Sequence, residues 1–272
     1  MKAPNSRRNL DIAIQRKYGL GDEYMRARTV MANAIVGQML PDGAVKGGSA
    51  IKLRFGESVT RFTTDLDVAR ASTLEEFLDE LEDNLQSGWN GFAGTVVPRD
   101  PASPKDVPVA YVMRPYDIKL SSNGSPWCTV PLEVGHNEIG DADDPDWGMP
   151  NDVLEMFASL GLPEPGPVPL MPLHHQIAQK LHALTSLGSD RAHDLIDLQV
   201  MVAGERIDLR RTRETCERLF VYRDQQPWPP TVVAGDTWSE AYEVQRRGLD
   251  VLESAEDAVV WANELIAQIA SA

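Results

Sequence analysis

Apolar residues recur at helical spacing over residues 7–18, with Leu10, Ile12, Ala13 and Ile14, and over 22–39, with Tyr24, Ala27, Val30, Met31, Ala34 and Ile35. The break Gly19-Leu20-Gly21 separates the two predicted helices, and Asp22 is the expected N-cap of the second. After the turn Pro41-Asp42-Gly43 the period shortens. Residues 49–54 fit a short helix or a strand. Residues 61–69 alternate like a strand, with Phe62, Thr64, Leu66 and Val68 on one face and Thr63, Asp65 and Asp67 on the other. Ser72 is the expected cap of an acidic helix over 73–85.

Strands are expected over 90–97, 109–113, 116–121 and 127–134, with a Pro-rich loop at 100–106. Asn123-Gly124 predicts a tight hairpin, and Pro131 predicts an edge or a bulge in its return strand. Residues 135–150 are polar, acidic and rich in Gly and Pro, which marks a boundary. Helical periods follow over 151–160, 173–187, 190–204, 210–222 and 237–268. The pattern therefore predicts an α/β (α+β) fold: a mixed sheet flanked by helices over 1–150, then a helical region over 151–272.

Residues 45–69 carry the candidate chemistry. Lys46-Gly47-Gly48-Ser49 opens the stretch, and its glycines leave backbone N–H groups open to a phosphate. The order is not a Walker loop, because the lysine precedes the glycines. Asp65-Leu66-Asp67 closes the stretch, and two carboxylates on one strand face repel each other unless a cation lies between them. A pair of solvated acids at a strand end would give the same pattern. Glu133 sits between Leu132 and Val134 on a later strand, either as a third acid for divalent cations or as an exposed edge residue. Lys180 lies at the margin of the stripe Ile177, Leu181 and Leu184, either snorkelling to water or offering an ammonium to phosphate oxygens. Asp194 and Asp197 follow on the next helix, where Asp194 could orient Lys180 or the nucleotide, or both could be acids of the helix surface.

Composition sharpens this picture in two ways. The 272 residues carry a net charge of −15, which argues against a general nucleic-acid binder. Basic residues still gather at 2–28, 46–61 and 205–223. The two cysteines, Cys128 and Cys216, have no metal-ligand spacing and suit a reducing cytoplasm. The histidines complete no zinc site. No apolar run approaches the ~20 residues of a membrane span, and no secretory leader is visible at the N-terminus.

In this order the motifs resemble the AbiEii/AbiGii (MenT-like) nucleotidyltransferase toxins of the DNA-polymerase-β-like nucleotidyltransferase superfamily. The family pattern falls on Lys46, Gly47, Gly48, Ser49, Arg61, Thr63, Asp65 and Asp67, then Glu133, then Lys180 in an Ala-x-Lys-Leu helix, then Asp194 to Leu198. The likeness spans residues 25–205, and His193 stands where a basic residue is frequent. The resemblance implies an enzyme that takes an NTP and Mg²⁺, with room for two ions, and releases pyrophosphate. Its implied metal ligands are Asp65, Asp67 and Glu133. Lys46, Gly47, Gly48 and Ser49 would hold the triphosphate, and Lys180 and Asp194 would complete the cleft from the helical region. It further implies a toxin with a cognate antitoxin, tRNA or another RNA as acceptor, and Thr63 as a site where a partner's phosphorylation silences activity. A protein or small-molecule acceptor remains an alternative, favoured by the acidity. A catalytically silent regulatory protein is another, disfavoured by the intact acids.

Overall fold

The computed structural model describes residues 3–101 and 112–272, and these fall into two compact units. One comprises residues 1–58 and 63–171; the other comprises 172–272 and the short segment 59–62. The expected positions 102–106 of the Pro-rich loop and 109–111 of a strand lie outside the described residues.

The first unit opens with α1 (Arg7–Tyr18) and α2 (Asp22–Gly37). Gly21, at φ 69, takes the N-cap position of α2 in place of Asp22, which instead stands with Glu23 in the first turn, where the helix dipole favours acids. Next come β1 (Gly43–Lys46), α3 (Gly47–Phe55), β2 (Leu66–Arg70) and α4 (Leu74–Ser87). Thr73, one residue after the expected Ser72, caps α4 in a reciprocal capping box with Glu76. The remaining elements are β3 (Phe92–Pro98), β4 (Arg114–Ser122), β5 (Ser125–Gly135), β6 (Asp146–Gly148), α5 (Asn151–Ser159) and β7 (Val168–Leu170).

The strands form one mixed sheet in the order β3-β4-β5-β2-β1-β7-β6. The β4–β5 hairpin turns at Asn123 and Gly124, both at positive φ, as the Asn-Gly signal demands. β5 is not an edge strand: β4 pairs antiparallel on one side and β2 parallel on the other. Pro131 is tolerated because it lies one residue ahead of the stretch that pairs with β2. The hairpin's irregularity falls at Leu120/Ser121 instead.

Cross-strand partners face the same side of a sheet. Val45, Val68 and Val134 align on one face and enter the main core with Leu66, Leu132, Val30 and Ile35. Lys46, Asp67 and Glu133 align on the opposite face, next to a small apolar cluster of Ala44, Ala69, Ala142 and Met171.

The second unit packs α6 (Leu173–Leu184), α7 (His193–Gly204), α8 (Leu209–Arg223), α9 (Trp238–Gln245) and α10 (Ala255–Ser271). The single helix expected over 237–268 is two, because Gly248 takes φ 78 and Ser254 caps α10 through the Asp257 amide. Trp238 and Tyr242 are buried in this unit, and the Trp238 indole donates to the Ser189 carbonyl at 2.8 Å. Among the described residues no helix is long and apolar enough to cross a membrane.

Candidate active site

In the first unit the site is built where β1 gives way to α3. Lys46 ends β1 and is the N-cap of α3, with extended backbone and no side-chain cap bond. Gly47, Gly48 and Ser49 are the first helical residues, so their N–H groups have no partner within the helix. Gly47 takes φ 65, and a Cβ there would overlap the Asp67 carboxylate. Gly135 is similarly constrained, since a Cβ there would lie 2.9 Å from Lys46 Nζ. The carboxylate of Asp67 thus crosses over the Gly47 backbone, and the lysine over that of Gly135. Gly47→Ala is expected to cost about 1–2 kcal/mol in backbone strain and to displace Asp67; thermal melts and transfer assays on the variant check both.

Register sets the acids beside each other. Lys46 pairs with Asp67 across β1–β2, and Asp67 pairs with Glu133 across β2–β5. Asp65 is not on the strand. β2 begins at Leu66, and residues 61–65 are irregular, contrary to the strand expected over 61–69. The cause is local: the groups of this stretch are taken by partners other than a strand ladder. The Thr63 hydroxyl donates to Asp65 Oδ1 at 3.0 Å, and the Ser49 hydroxyl donates to the Asp65 carbonyl. Asp65 is half-buried and Thr63 is buried. Ser49 is 1 % exposed, and its oxygen accepts from Asn33 Nδ2 at 3.2 Å.

Asn33 is a residue that the sequence reading missed. It lies within α2 at 2 % exposure, and its Oδ1 has no hydrogen-bond partner among the described residues. A lone amide inside the apolar run Val-Met-Ala-Asn-Ala-Ile-Val was the available signal. Such a group is costly in a core unless it bonds to something specific.

Among the described residues no three His, Cys, Asp or Glu side chains form a ready-made metal cage. Mg²⁺ takes one or two carboxylates and completes its shell with water and substrate phosphates. In-register Asp67 and Glu133, beside a helix N-terminus, fit an ion held jointly with a nucleotide.

The second unit contains a buried charge network. Lys180 Nζ lies 2.7 Å from Asp194 Oδ1 and 2.6 Å from Asp197 Oδ2. Arg61 grips Asp197 with two bonds of 2.9 Å, and Arg191 reaches Asp194 at 2.6 Å. Lys180 is 6 % exposed, so it is enclosed and not at a wet margin. Burial opposes the charges of Arg61, Lys180, Asp194 and Asp197, but the partners prevail. Burial is the largest single influence on Asp194 and Asp197, but Lys180 together with Arg191 at Asp194 and Arg61 at Asp197 outweighs it and holds both carboxyls below the usual range. The two aspartates hold Lys180 above the usual ammonium value, and Asp197 does the same for Arg61. Burial pushes His193 below its ordinary value against the pull of Asp194, so the imidazole is mainly neutral at pH 7. Arg191 supplies the basic partner of Asp194 that His193 does not.

A sheet carrying in-register acids beside a Gly-Gly helix start, with a separate helical unit bearing a lysine–aspartate set, defines a nucleotidyltransferase-type architecture. A profile of the nucleotidyl transferase AbiEii toxin family, type IV toxin–antitoxin system, matches residues 34–268. The chain belongs to this family and is a nucleotidyltransferase. The match runs through the C-terminal helices, well past the residue 205 at which the motif resemblance stops.

Among solved structures, the fold is similar to the nucleotidyltransferase toxin MenT4 of Mycobacterium tuberculosis H37Rv, with TM-score 0.52 and 16 % identity, covering 96 % of this chain and 98 % of that one. A putative nucleotidyltransferase from H. pylori aligns with TM-score 0.46 and 15 % identity over 93 % of this chain and 96 % of that one. A search of curated proteins finds no match.

Proposed function

We propose that the chain transfers a nucleotide from an NTP, with Mg²⁺, to the 3′ end of an RNA acceptor such as tRNA, releasing pyrophosphate. The observation that carries this reading is the line Lys46–Asp67–Glu133 on one sheet face, where β1 runs directly into the Gly47-Gly48 start of α3. The free N–H groups of that helix start bind the triphosphate, aided by the dipole, and Lys46 adds a positive charge. Asp67 and Glu133 would hold the cation, joined by Asp65 from the loop ahead of β2. A bound divalent ion supplies charge neutralisation at the α-phosphate and activation of the acceptor hydroxyl. Lys180 stays protonated between Asp194 and Asp197, which suits it to holding fixed charge within its own unit and not to proton transfer.

Incubation with each α-³²P-labelled NTP, Mg²⁺ and total tRNA tests the reading. Label is expected in RNA and lost in Asp65→Ala. Label in protein or a small molecule alone would replace the acceptor. That outcome has its own support in the net charge of −15.

Thr63 fits the role of a switch. Its hydroxyl already touches the Asp65 carboxylate, so a phosphate there would add about −1.5 to −2 charges beside the cation ligands. Thr63→Ala is expected to keep transfer measurable, at a loss of no more than about 10- to 150-fold, the roughly 1.5–3 kcal/mol of one hydrogen bond to a charged group. It should abolish silencing by a phosphorylating partner on co-expression. Silencing that persists in Thr63→Ala would remove Thr63 from that role.

A further inference from the structure

We infer that Asn33 and Ser49 form a positioning relay for the acids, in which the Ser49 hydroxyl acts on the backbone of Asp65 and not on the phosphates of a nucleotide. This deepens the nucleotidyl-transfer reading and rests on it. The direction of the relay is fixed by chemistry. The Asp65 carbonyl can only accept, so the single proton of Ser49 points to it. Ser49 must then accept from Asn33, which places the amide nitrogen of Asn33 toward Ser49. Phosphate oxygens are acceptors too, and Ser49 has no second proton for them. With 1 % exposure, its side chain is also turned away from solvent. What Ser49 offers a phosphate is its backbone N–H.

The relay reaches the chain one residue before β2 begins. It fixes the carbonyl of Asp65 and, two residues on, the start of the register that brings Asp67 level with Glu133. Asn33 Oδ1 is buried without a partner among the described residues, which weakens the fold. An apolar residue of similar size would remove that defect. The amide at position 33 is therefore poorly explained by packing and well explained by what its nitrogen holds. Asn33 and Ser49 are positioning residues: they act through Asp65 and the strand that follows.

The test measures Mn²⁺ binding by water-proton relaxation in the presence of a non-hydrolysable NTP, and binding of that NTP in EDTA by calorimetry. The proteins are wild type, Ser49→Ala, Ser49→Thr, Asn33→Leu, the Ser49→Ala/Asn33→Leu double variant and Asp67→Asn. Loss of an outer partner of a ligand is expected to weaken Mn²⁺ binding about 10- to 100-fold in Ser49→Ala. Asn33→Leu should move the same way while melting no lower than wild type, and Ser49→Thr should restore binding. The double variant should be no worse than Ser49→Ala, because the two residues act in series. Nucleotide affinity in EDTA should not change.

Weaker nucleotide binding in EDTA with unaltered Mn²⁺ affinity in Ser49→Ala would overturn the relay in favour of a phosphate contact. So would an Asn33→Leu protein that binds Mn²⁺ like wild type. If Asp67→Asn binds Mn²⁺ like wild type, or wild type binds none, the metal reading of the site falls first and the relay with it. Loss in Asp67→Asn alone defeats only the relay.

Discussion

Asp67→Asn is expected to lower nucleotidyl transfer about a thousandfold, equivalent to about 4 kcal/mol of transition-state stabilisation. The amide keeps the size of the side chain that crosses the Gly47 backbone, so the sheet and its register survive. What is lost is a negative charge in line with Glu133. Initial rates with labelled NTP measure the effect, and the melting temperature, expected within about 3 °C of wild type, separates it from misfolding. Glu133→Gln should fall in the same class. A rate within tenfold of wild type for Asp67→Asn would show that the in-register pair does not hold the catalytic cation.

Asp197→Ala produces the largest expected loss of stability, about 3–5 kcal/mol. It strips Arg61 of both its bonds to Asp197 and leaves Lys180 one partner, in a setting where Asp197 is 2 % exposed. Charges left uncompensated in a buried place carry the full cost of desolvation. A drop in melting temperature of about 10 °C is expected. Replacing Arg61, Lys180, Asp194 and Asp197 together by apolar residues should cost less than Asp197→Ala alone, since no buried charge is left stranded and the half-exposed Arg191 keeps access to water. Calorimetric melts of both variants decide the matter.

The same network sets a pH window. Asp194 and Asp197 titrate below the usual carboxylate range in the folded chain, so the unfolded chain takes up these protons first. Their contribution is complete above the unfolded value of about 4 and drains as pH falls through the folded ones. Lys180 is held above its ordinary value, so its contribution is complete below about 10.4 and is lost as pH rises past it. Melting temperature should vary little on this account between about pH 5 and 9, and Asp197→Ala should flatten its decline in acid.

Much of the fold was legible where a local signal had no rival. The hairpin at Asn123-Gly124 needs positive φ at two positions, and those residues supply it. The Thr73–Glu76 capping box fixed the start of α4 within a residue or two of the expected place. The glycine step and the acids were legible as residue types with known chemical uses. Their placement was legible only in part. Alternation placed Asp65 and Asp67 on one strand, but Ser49, sixteen positions earlier, and Thr63 hold Asp65 off the ladder. Periodicity put Lys180 at a wet margin because it cannot see Arg61, 136 residues upstream of Asp197, arriving to complete the pair. The split between α9 and α10 was written in Gly248 and Ser254, where a local stop overrode a long helical period.

The segment 59–62 has a consequence for how the chain can be made and cut. The helical unit is not contiguous: its Arg61 leaves the ribosome more than a hundred residues before Asp197 does. Until α7 is synthesised, that guanidinium has no carboxylate to meet, and the loop that must close between them is long. A fragment beginning at residue 172 would carry both buried aspartates with Lys180 and Arg191 but without Arg61. Expressed alone it would lack the guanidinium that makes two bonds to Asp197. Tethering residues 59–62 to its N-terminus through a flexible linker is the repair that the chain's own layout suggests.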